Sequence, residues 1–365
     1  LIKKFLKKSS NQLTFLPKLV YNLFMKAWLI TEITDVEKDD RPLKLANLPI
    51  PKIKENEILI KVKACGVCHT EIDELEGRAL PSFFPIVPGH QIVGEVCRIG
   101  KKVKKFKIGD RVGVGWIYYA CGECEFCQKG LENLCKDFKG TGKDVNGGYA
   151  EYFKISEDFA FPLPENFTYE EAAPLFCAGA IGYRSLRLAN MDDNKNLGLI
   201  GFGAANHLVL KIAKNLYPNC KIFVFSRNEK ERELAKNLGA YWVGEIEEEP
   251  KELLHCAIDT TPVWKPPFYI LQHLLPNGRL VINAIRKEEI DKEYLLKIDY
   301  ARDLWQEKEI KTVANVTKKD ISEWLEIAQR FNIKPEIEIY PFEKANEALK
   351  DIRNRKIKGA KVLVI

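Results

Sequence analysis

The sequence predicts an α/β protein in which a doubly wound parallel sheet is joined to a second, mostly β domain. Three observations lead there. A length of 365 residues with 46% hydrophobic content supports two domains with substantial cores. From residue 26 to about 160, short apolar or alternating runs are separated by Pro, Gly, Lys and Asp, which is strand-rich text. Between about 195 and 315, apolar runs alternate with helical stretches, the pattern of a parallel sheet with crossover helices.

Residues 1–24, LIKKFLKKSSNQLTFLPKLVYNLF, are basic and apolar by turns, and Pro17 and Lys18 interrupt the apolar core that a signal peptide needs. They read as a non-native or mis-called extension ahead of Met25, with an interfacial amphipathic segment as the alternative. No stretch of the sequence reaches the length of a membrane span. AWLI, EILIKVKAC, IVGEVCRIG and RVGVG then supply strands of a partly closed β domain, and NGGYAEYFKI (146–155) adds one after a Gly-rich turn. A helix is expected from Tyr169 through Leu188. Beyond it, LGLIGF and KIFVFS read as strands, AANHLVLKIAKNL as a helix, and EKERELAKNLG as a helix ended by Gly239. CAIDTTP and GRLVINAI are buried-strand candidates, and the tail from Glu343 reads as one helix and one strand.

Charge and cysteine usage exclude several function classes. The five lysines of residues 1–24, with no acid among them, carry five of the six net positive charges. The rest of the chain is near neutral, without the basic stripe of a nucleic-acid partner. Of ten cysteines, four cluster within 121–135, while Cys65, Cys97, Cys220 and Cys256 read as small buried residues. Thiolate–metal chemistry suits a reducing compartment, so a cytoplasmic location is expected.

Three motifs carry chemistry. GVCHTE (66–71), PGHQ (88–91) and APLFCAG offer Cys68, His90 and Cys177, a three-ligand set that leaves a fourth metal position for water or substrate. CGECEFCQKGLENLC places Cys121, Cys124, Cys127 and Cys135 at C-x2-C-x2-C-x7-C spacing, which suits a closed tetrahedral zinc site; an iron–sulfur cluster is the competing reading. GFGAAN (201–206) follows a strand and opens a helix. Gly201 permits the tight turn of a Rossmann dinucleotide site, Gly203 admits the pyrophosphate, and Ala204 starts the helix, whereas Asn206 stands at the third glycine position. About twenty residues on, an NAD site shows an acid. This chain has Ser226 and Arg227, with Lys230 nearby, which favours NADP(H), while NAD(H) stays possible if Arg227 is only a solvated turn residue.

GVCHT, PGHQxxGEV, the later CAG, the cysteine lobe, NGGYAEY and the nucleotide turn occur in one order over residues 25–365. Together they resemble the zinc-dependent alcohol dehydrogenases of the medium-chain dehydrogenase/reductase superfamily. The resemblance implies a discontinuous GroES-like catalytic domain (25–176 and 325–365) around a Rossmann domain (177–324). It implies two zinc ions per chain, a catalytic one on Cys68, His90 and Cys177 and a structural one on the four-cysteine lobe. It implies a reversible NADP(H)- or NAD(H)-dependent dehydrogenase of primary alcohols and aldehydes, in which zinc polarises the substrate oxygen and hydride passes to the nicotinamide. A polyol or amino-alcohol dehydrogenase, disfavoured by Cys177 as third ligand, and a catalytically silent dinucleotide sensor are the alternatives. A homo-oligomer, dimer or tetramer, is expected.

The same resemblance assigns roles. Thr70 accepts the alcohol proton and passes it toward the cofactor ribose. His69 takes the slot of a basic contact to cofactor phosphate, or is a solvent-facing loop residue. INAI, with Asn283, and TVANVT match segments that face the nicotinamide. Three departures stand out: Glu71 replaces the usual Asp behind the ligand His, Gln91 replaces the Glu after it, and Asp73 replaces a relay His. Asp73 either joins the proton path or is a solvated loop acid. Leu175, Phe176 and Trp116 hint at an apolar substrate pocket.

Overall fold

A computed structural model describes residues 24–354 and 359–365. The segment read as an N-terminal extension lies outside the described residues except for Phe24, which opens the first strand, Phe24–Leu29. No described helix is long and apolar enough to cross a membrane.

Six strands form the nucleotide-type sheet: Trp242–Gly244, Lys221–Phe225, Asn196–Ile200, Leu254–Asp259, Leu274–Ile282 and Glu309–Thr312 lie side by side in that order. All are parallel. In chain order this is 3-2-1-4-5-6, the doubly wound arrangement whose reversal point seats dinucleotides outside the carboxyl ends of the strands. Helices cover both faces of such a sheet, so its inner strands are apolar on both sides. Leu197, Leu199, Phe223, Val224, Ala257 and Ile258 are accordingly all buried. The register brings Ile200 level with Phe225 on one side and Asp259 on the other, so three strand ends meet at the reversal point.

The second sheet is organised on Glu57–Val67, which pairs antiparallel with Gln91–Ile99, Tyr152–Ser156 and the C-terminal strand Ala360–Val364. Arg111–Val114 and Phe161–Pro162 extend one side and Ile337–Pro341 the other. The strand Ala360–Val364 thus brings the chain back from the nucleotide-type sheet to the sheet of Glu57–Val67, with Val362 opposite Gly66.

The segment between the sheets corrects one expectation. A single helix from Tyr169 through Leu188 does not form. Tyr169–Ala172 is one helical turn, Ala173–Phe176 is a 3-10 turn, and Ala178–Leu188 is a separate α-helix. Pro174 has no N–H to donate, so the α-helical hydrogen-bond ladder of the first turn cannot continue through it. Trp324 Nε1–H then donates to the Leu175 carbonyl at 3.0 Å, so that acceptor needs no helical partner. Cys177 stands at the break with φ −131° and ψ −77°, outside either helix.

A buried histidine ties the two sheets together. His207, on the helix Ala204–Leu216, has Nδ1 3.2 Å from the Gly203 carbonyl, and its Nε2 accepts the Glu336 N–H at 3.2 Å. Burial, with Lys211 nearby, pulls its pKa down to about 4. The folded ring stays neutral where the unfolded ring, with its ordinary pKa near 6.5, takes up a proton. The stabilisation is therefore complete above pH 6.5 and is lost as pH falls from 6.5 toward 4, by up to about 3 kcal/mol. Urea unfolding across that window should show the loss, and His207→Gln should flatten it. Equal slopes in the two proteins would remove His207 from the account.

Candidate active site

The first metal-type cluster is built where the strand Glu57–Val67 runs straight into the helix His69–Leu75. Cys68 is the N-cap residue between them, and Glu71 Oε2 reaches back to accept the Cys68 N–H at 2.7 Å. The other oxygen of Glu71 lies 2.7 Å from His90 Nδ1, and both side chains are buried. The Glu that stands where the resembled family carries Asp thus caps its helix and seats the histidine with one carboxylate. His90 follows Gly89, whose φ of +94° and contact with Tyr149 leave no room for a Cβ. The ligand atoms of Cys68, His90 and Cys177 all lie within 4.8 Å of one another, and among the described residues no fourth Cys, His, Asp or Glu atom joins them. With Nδ1 turned to Glu71, the Nε2 of His90 is the nitrogen left for the sulfurs.

The electrostatics suit a cation. A short contact with the Cys177 thiol, helped by His90, pulls the Cys68 pKa well below its ordinary value against the effect of burial. The same contact and burial raise Cys177. Burial is the largest single effect on His90 and would lower it, but Glu71 and Cys68 together outweigh it and the net shift is upward. Two soft sulfurs and an imidazole nitrogen converging with one open side match the donor set of a catalytic zinc site.

Neighbouring residues fall into place around this cluster. Thr70 is buried with its hydroxyl 3.5 Å from Cys68 Sγ. His69 is partly exposed, with Nε2 3.9 Å from Asp73 Oδ1. Asp73 is not a solvated loop acid. It sits buried on the helix, and Arg78 Nε donates to it at 2.6 Å. Gln91 packs against Gly66, so an amide occupies that place beside His90. The Trp116 ring stands 6.1 Å from the His90 ring, tilted by 47°. Leu175 and Phe176 are fully buried, and Phe176 lies against Gly113, so these two side chains belong to the core rather than to a pocket surface.

Glu74 escaped the sequence reading. It is fully buried, neither of its carboxyl oxygens has a partner among the described residues, and burial holds its pKa well above the ordinary range. Its spacing three residues after Glu71, one turn along the same helix face, was the available signal.

In the second cluster, Cys121, Cys124, Cys127 and Cys135 also bring their sulfurs within 4.8 Å of one another. Sulfur separations of 3.5 and 3.9 Å exclude disulfides, and all ten cysteines are free. The backbone N–H groups of Cys121 and Asp137 donate to Cys135 Sγ, and that of Cys124 donates to Cys121 Sγ, each at 3.4 Å. Hydrogen bonds from the Glu123 and Cys124 N–H groups lower the Cys121 pKa to about 7.

At the nucleotide turn, Gly201 has φ +75°, which L residues rarely adopt, and a Cβ on Gly203 would meet open space in front of the helix Ala204–Leu216. No side chain caps that helix, so its first N–H groups are available to an anion. Asn206 repairs the missing third glycine. Fully buried, it donates from Nδ2 to the Gly201 carbonyl at 2.8 Å and to the Ile200 carbonyl at 3.1 Å, and it lies 3.2 Å from Thr260 Oγ1. Asn206→Ala should cost about 1–3 kcal/mol of stability in thermal or urea unfolding, because buried carbonyls lose their donor. An unchanged midpoint would contradict that role.

Ser226 is buried and hydrogen-bonded to Glu231, whereas Arg227 and Lys230 are exposed. The Asn283 N–H donates to the Asp259 carbonyl at 2.7 Å, which fixes the segment after Leu274–Ile282. Lys287, also missed by the sequence reading, closes on Asp259 Oδ2 at 2.5 Å and on the carbonyls of Thr261 and Val263. Its partners come from a different strand end, so no local pattern pointed to it.

A doubly wound sheet paired with a β domain that carries a Cys–His–Cys cluster is the architecture of a metal-containing dinucleotide oxidoreductase. Comparison with known proteins narrows the class. A family model described as the alcohol dehydrogenase GroES-like domain matches residues 54–165. The chain is 35% identical over 346 residues to a probable alcohol dehydrogenase of Mycobacterium tuberculosis, covering 93% of this chain and 97% of that one. It is 32% identical over 348 residues to an alcohol dehydrogenase of Geobacillus stearothermophilus, covering 93% and 98%. A cinnamyl alcohol dehydrogenase structure from Sorghum bicolor superposes with a TM-score of 0.81 at 25% identity, covering 93% of this chain and 97% of that one. The chain belongs to the zinc-type alcohol dehydrogenases of the medium-chain dehydrogenase/reductase superfamily. It is an oxidoreductase acting on small-molecule alcohols, in a family that works with zinc and a nicotinamide cofactor.

Proposed function

We propose that the protein is a zinc-dependent, reversible dehydrogenase of primary alcohols and aldehydes. The observation that carries the reading is the convergence of Cys68, His90 and Cys177 with no fourth protein ligand among the described residues. When bound, zinc supplies Lewis-acid polarisation of the substrate oxygen and the nicotinamide supplies hydride chemistry.

The chain's own residues do the rest. Cys68, His90 and Cys177 hold the metal, and Glu71 orients the imidazole. Thr70, with its hydroxyl beside Cys68 Sγ, takes the alcohol proton. Asp73 is engaged by Arg78, so it serves the proton path only as a member of that pair. The turn at Gly201 and Gly203 and the uncapped helix start at Ala204 receive the pyrophosphate, and His69 adds a basic contact. The Trp116 ring excludes water on one side of His90.

The four-cysteine lobe holds a second, structural zinc. Residues 25–176 with 325–365 act as the catalytic domain, and 177–324 as the nucleotide domain. A homo-oligomer in a reducing cytoplasm completes the proposal.

Initial rates over linear, branched, benzylic and polyol alcohols, paired with metal analysis, test it. Faster turnover of polyols would overturn the substrate class, and full turnover by zinc-free protein would overturn the metal's role.

A further inference from the structure

We propose that Glu231 is the residue that selects the dinucleotide, favouring a free adenosine ribose over one that carries a 2′-phosphate; this rests on the dinucleotide-site reading above. A dinucleotide fold that prefers the unphosphorylated cofactor ordinarily shows an acid about twenty residues beyond the glycine turn, at the end of the second strand, where it grips the ribose hydroxyls. Here that strand, Lys221–Phe225, is followed by Ser226, and the place looks vacant in the sequence.

The structure fills it from elsewhere. Glu231, on the helix Glu229–Asn237, turns back so that Oε2 accepts the Ser226 hydroxyl at 2.6 Å and the Phe202 N–H at 3.2 Å. Phe202 is the middle residue of the Gly201–Gly203 turn, and Ser226 closes the neighbouring strand. The carboxylate therefore bridges the two strand ends between which the fold seats the adenosine ribose. Its Oε1 accepts no hydrogen bond from the described residues and is free to accept from the ribose.

No cation among the described residues forms an ion pair with Glu231. Arg232 is held by the Ser226 carbonyl at 2.7 Å and by Glu245 at 3.2 Å. The side chains of Arg227 and Lys230 are exposed and make no hydrogen bond or ion pair among the described residues. A 2′-phosphate removes a hydroxyl donor and places a dianion against an uncompensated carboxylate, and the two cations nearby do not hold that carboxylate back.

Binding without substrate tests this. NADH and NADPH are titrated into the full chain, wild type and Glu231→Gln, by calorimetry or tryptophan quenching. The wild type is expected to bind NADH about ten- to hundredfold more tightly than NADPH, the size of a hydrogen bond to a charged group. Glu231→Gln should bring the two to near parity, by weakening NADH and tightening NADPH. The wild type alone gives a second measurement that does not depend on the variant folding: ADP-ribose should displace bound NADH better than 2′-phospho-ADP-ribose does. Tighter NADPH binding by the wild type would overturn the inference. So would an unchanged ratio in a Glu231→Gln protein that unfolds at the wild-type temperature. Binding of neither dinucleotide would overturn the dinucleotide-site reading itself.

Discussion

Cys68→Ala is expected to lower kcat/KM for alcohol oxidation by about 10³-fold or more, because the Lewis-acid contribution of the metal amounts to several kcal/mol. The variant should remain folded. The hydrogen bond that caps the following helix runs from the Cys68 backbone N–H to Glu71, and alanine keeps that N–H. What alanine removes is one of three convergent ligand atoms, leaving His90 and Cys177 as an incomplete set. Metal analysis should show one equivalent fewer per chain, with the equivalent on the four-cysteine lobe retained. Glu71→Ala should act more mildly, by about 10–100-fold in metal affinity, since it frees the histidine without removing a ligand. Full turnover by folded Cys68→Ala protein would end the case for metal-assisted chemistry at this cluster.

Most of the fold was legible because both sheets announce themselves locally. The helix Ala204–Leu216 begins and ends where the text AANHLVLKIAKNL does, and Gly239, with φ +88°, follows the end of the helix Glu229–Asn237. The cysteine clusters were legible for a different reason: ligand residues are few, and their spacing restricts what they can bind. What could not be read is everything decided by a side chain arriving from elsewhere. The break at Cys177 depends on Pro174 and also on Trp324, roughly 150 residues later in the chain. A solvated loop acid stayed open as a reading of Asp73, beside a place on the proton path, because its partner Arg78 shows no helical spacing to it. Asn206 looked like a defect in a glycine pattern, whereas its amide replaces close packing by hydrogen bonds to two carbonyls. The window that ends the second strand, Ser226 and Arg227, holds no acid. Glu231 enters that space from the next helix, five residues beyond Ser226.

Cys135→Ala, or selective removal of the lobe metal, is expected to cost several kcal/mol of stability and to lower the unfolding temperature by about 10 °C. The lobe has little else to hold it. Its regular structure is one turn of helix, Glu125–Gln128, in which no residue is buried, and a 3-10 turn, Glu132–Leu134. Of its larger apolar side chains, Phe126 and Leu134 are 43% and 41% exposed and Leu131 is only half-buried. A segment that buries so little cannot offset the entropy of ordering its backbone by packing alone. A four-sulfur cross-link can, and Cys121, titrating near pH 7, is already poised to give up its proton to a metal. The effect should reach past the lobe. Asn133 Nδ2 donates to the Ala314 carbonyl at 2.6 Å, in the segment that follows the edge strand Glu309–Thr312 of the nucleotide sheet. Limited proteolysis should therefore open cleavage within 121–135 first and near 314 next, while the Cys68–His90–Cys177 cluster keeps its metal. A metal-depleted lobe with an unchanged melting temperature and cleavage pattern would show that packing, not coordination, maintains it.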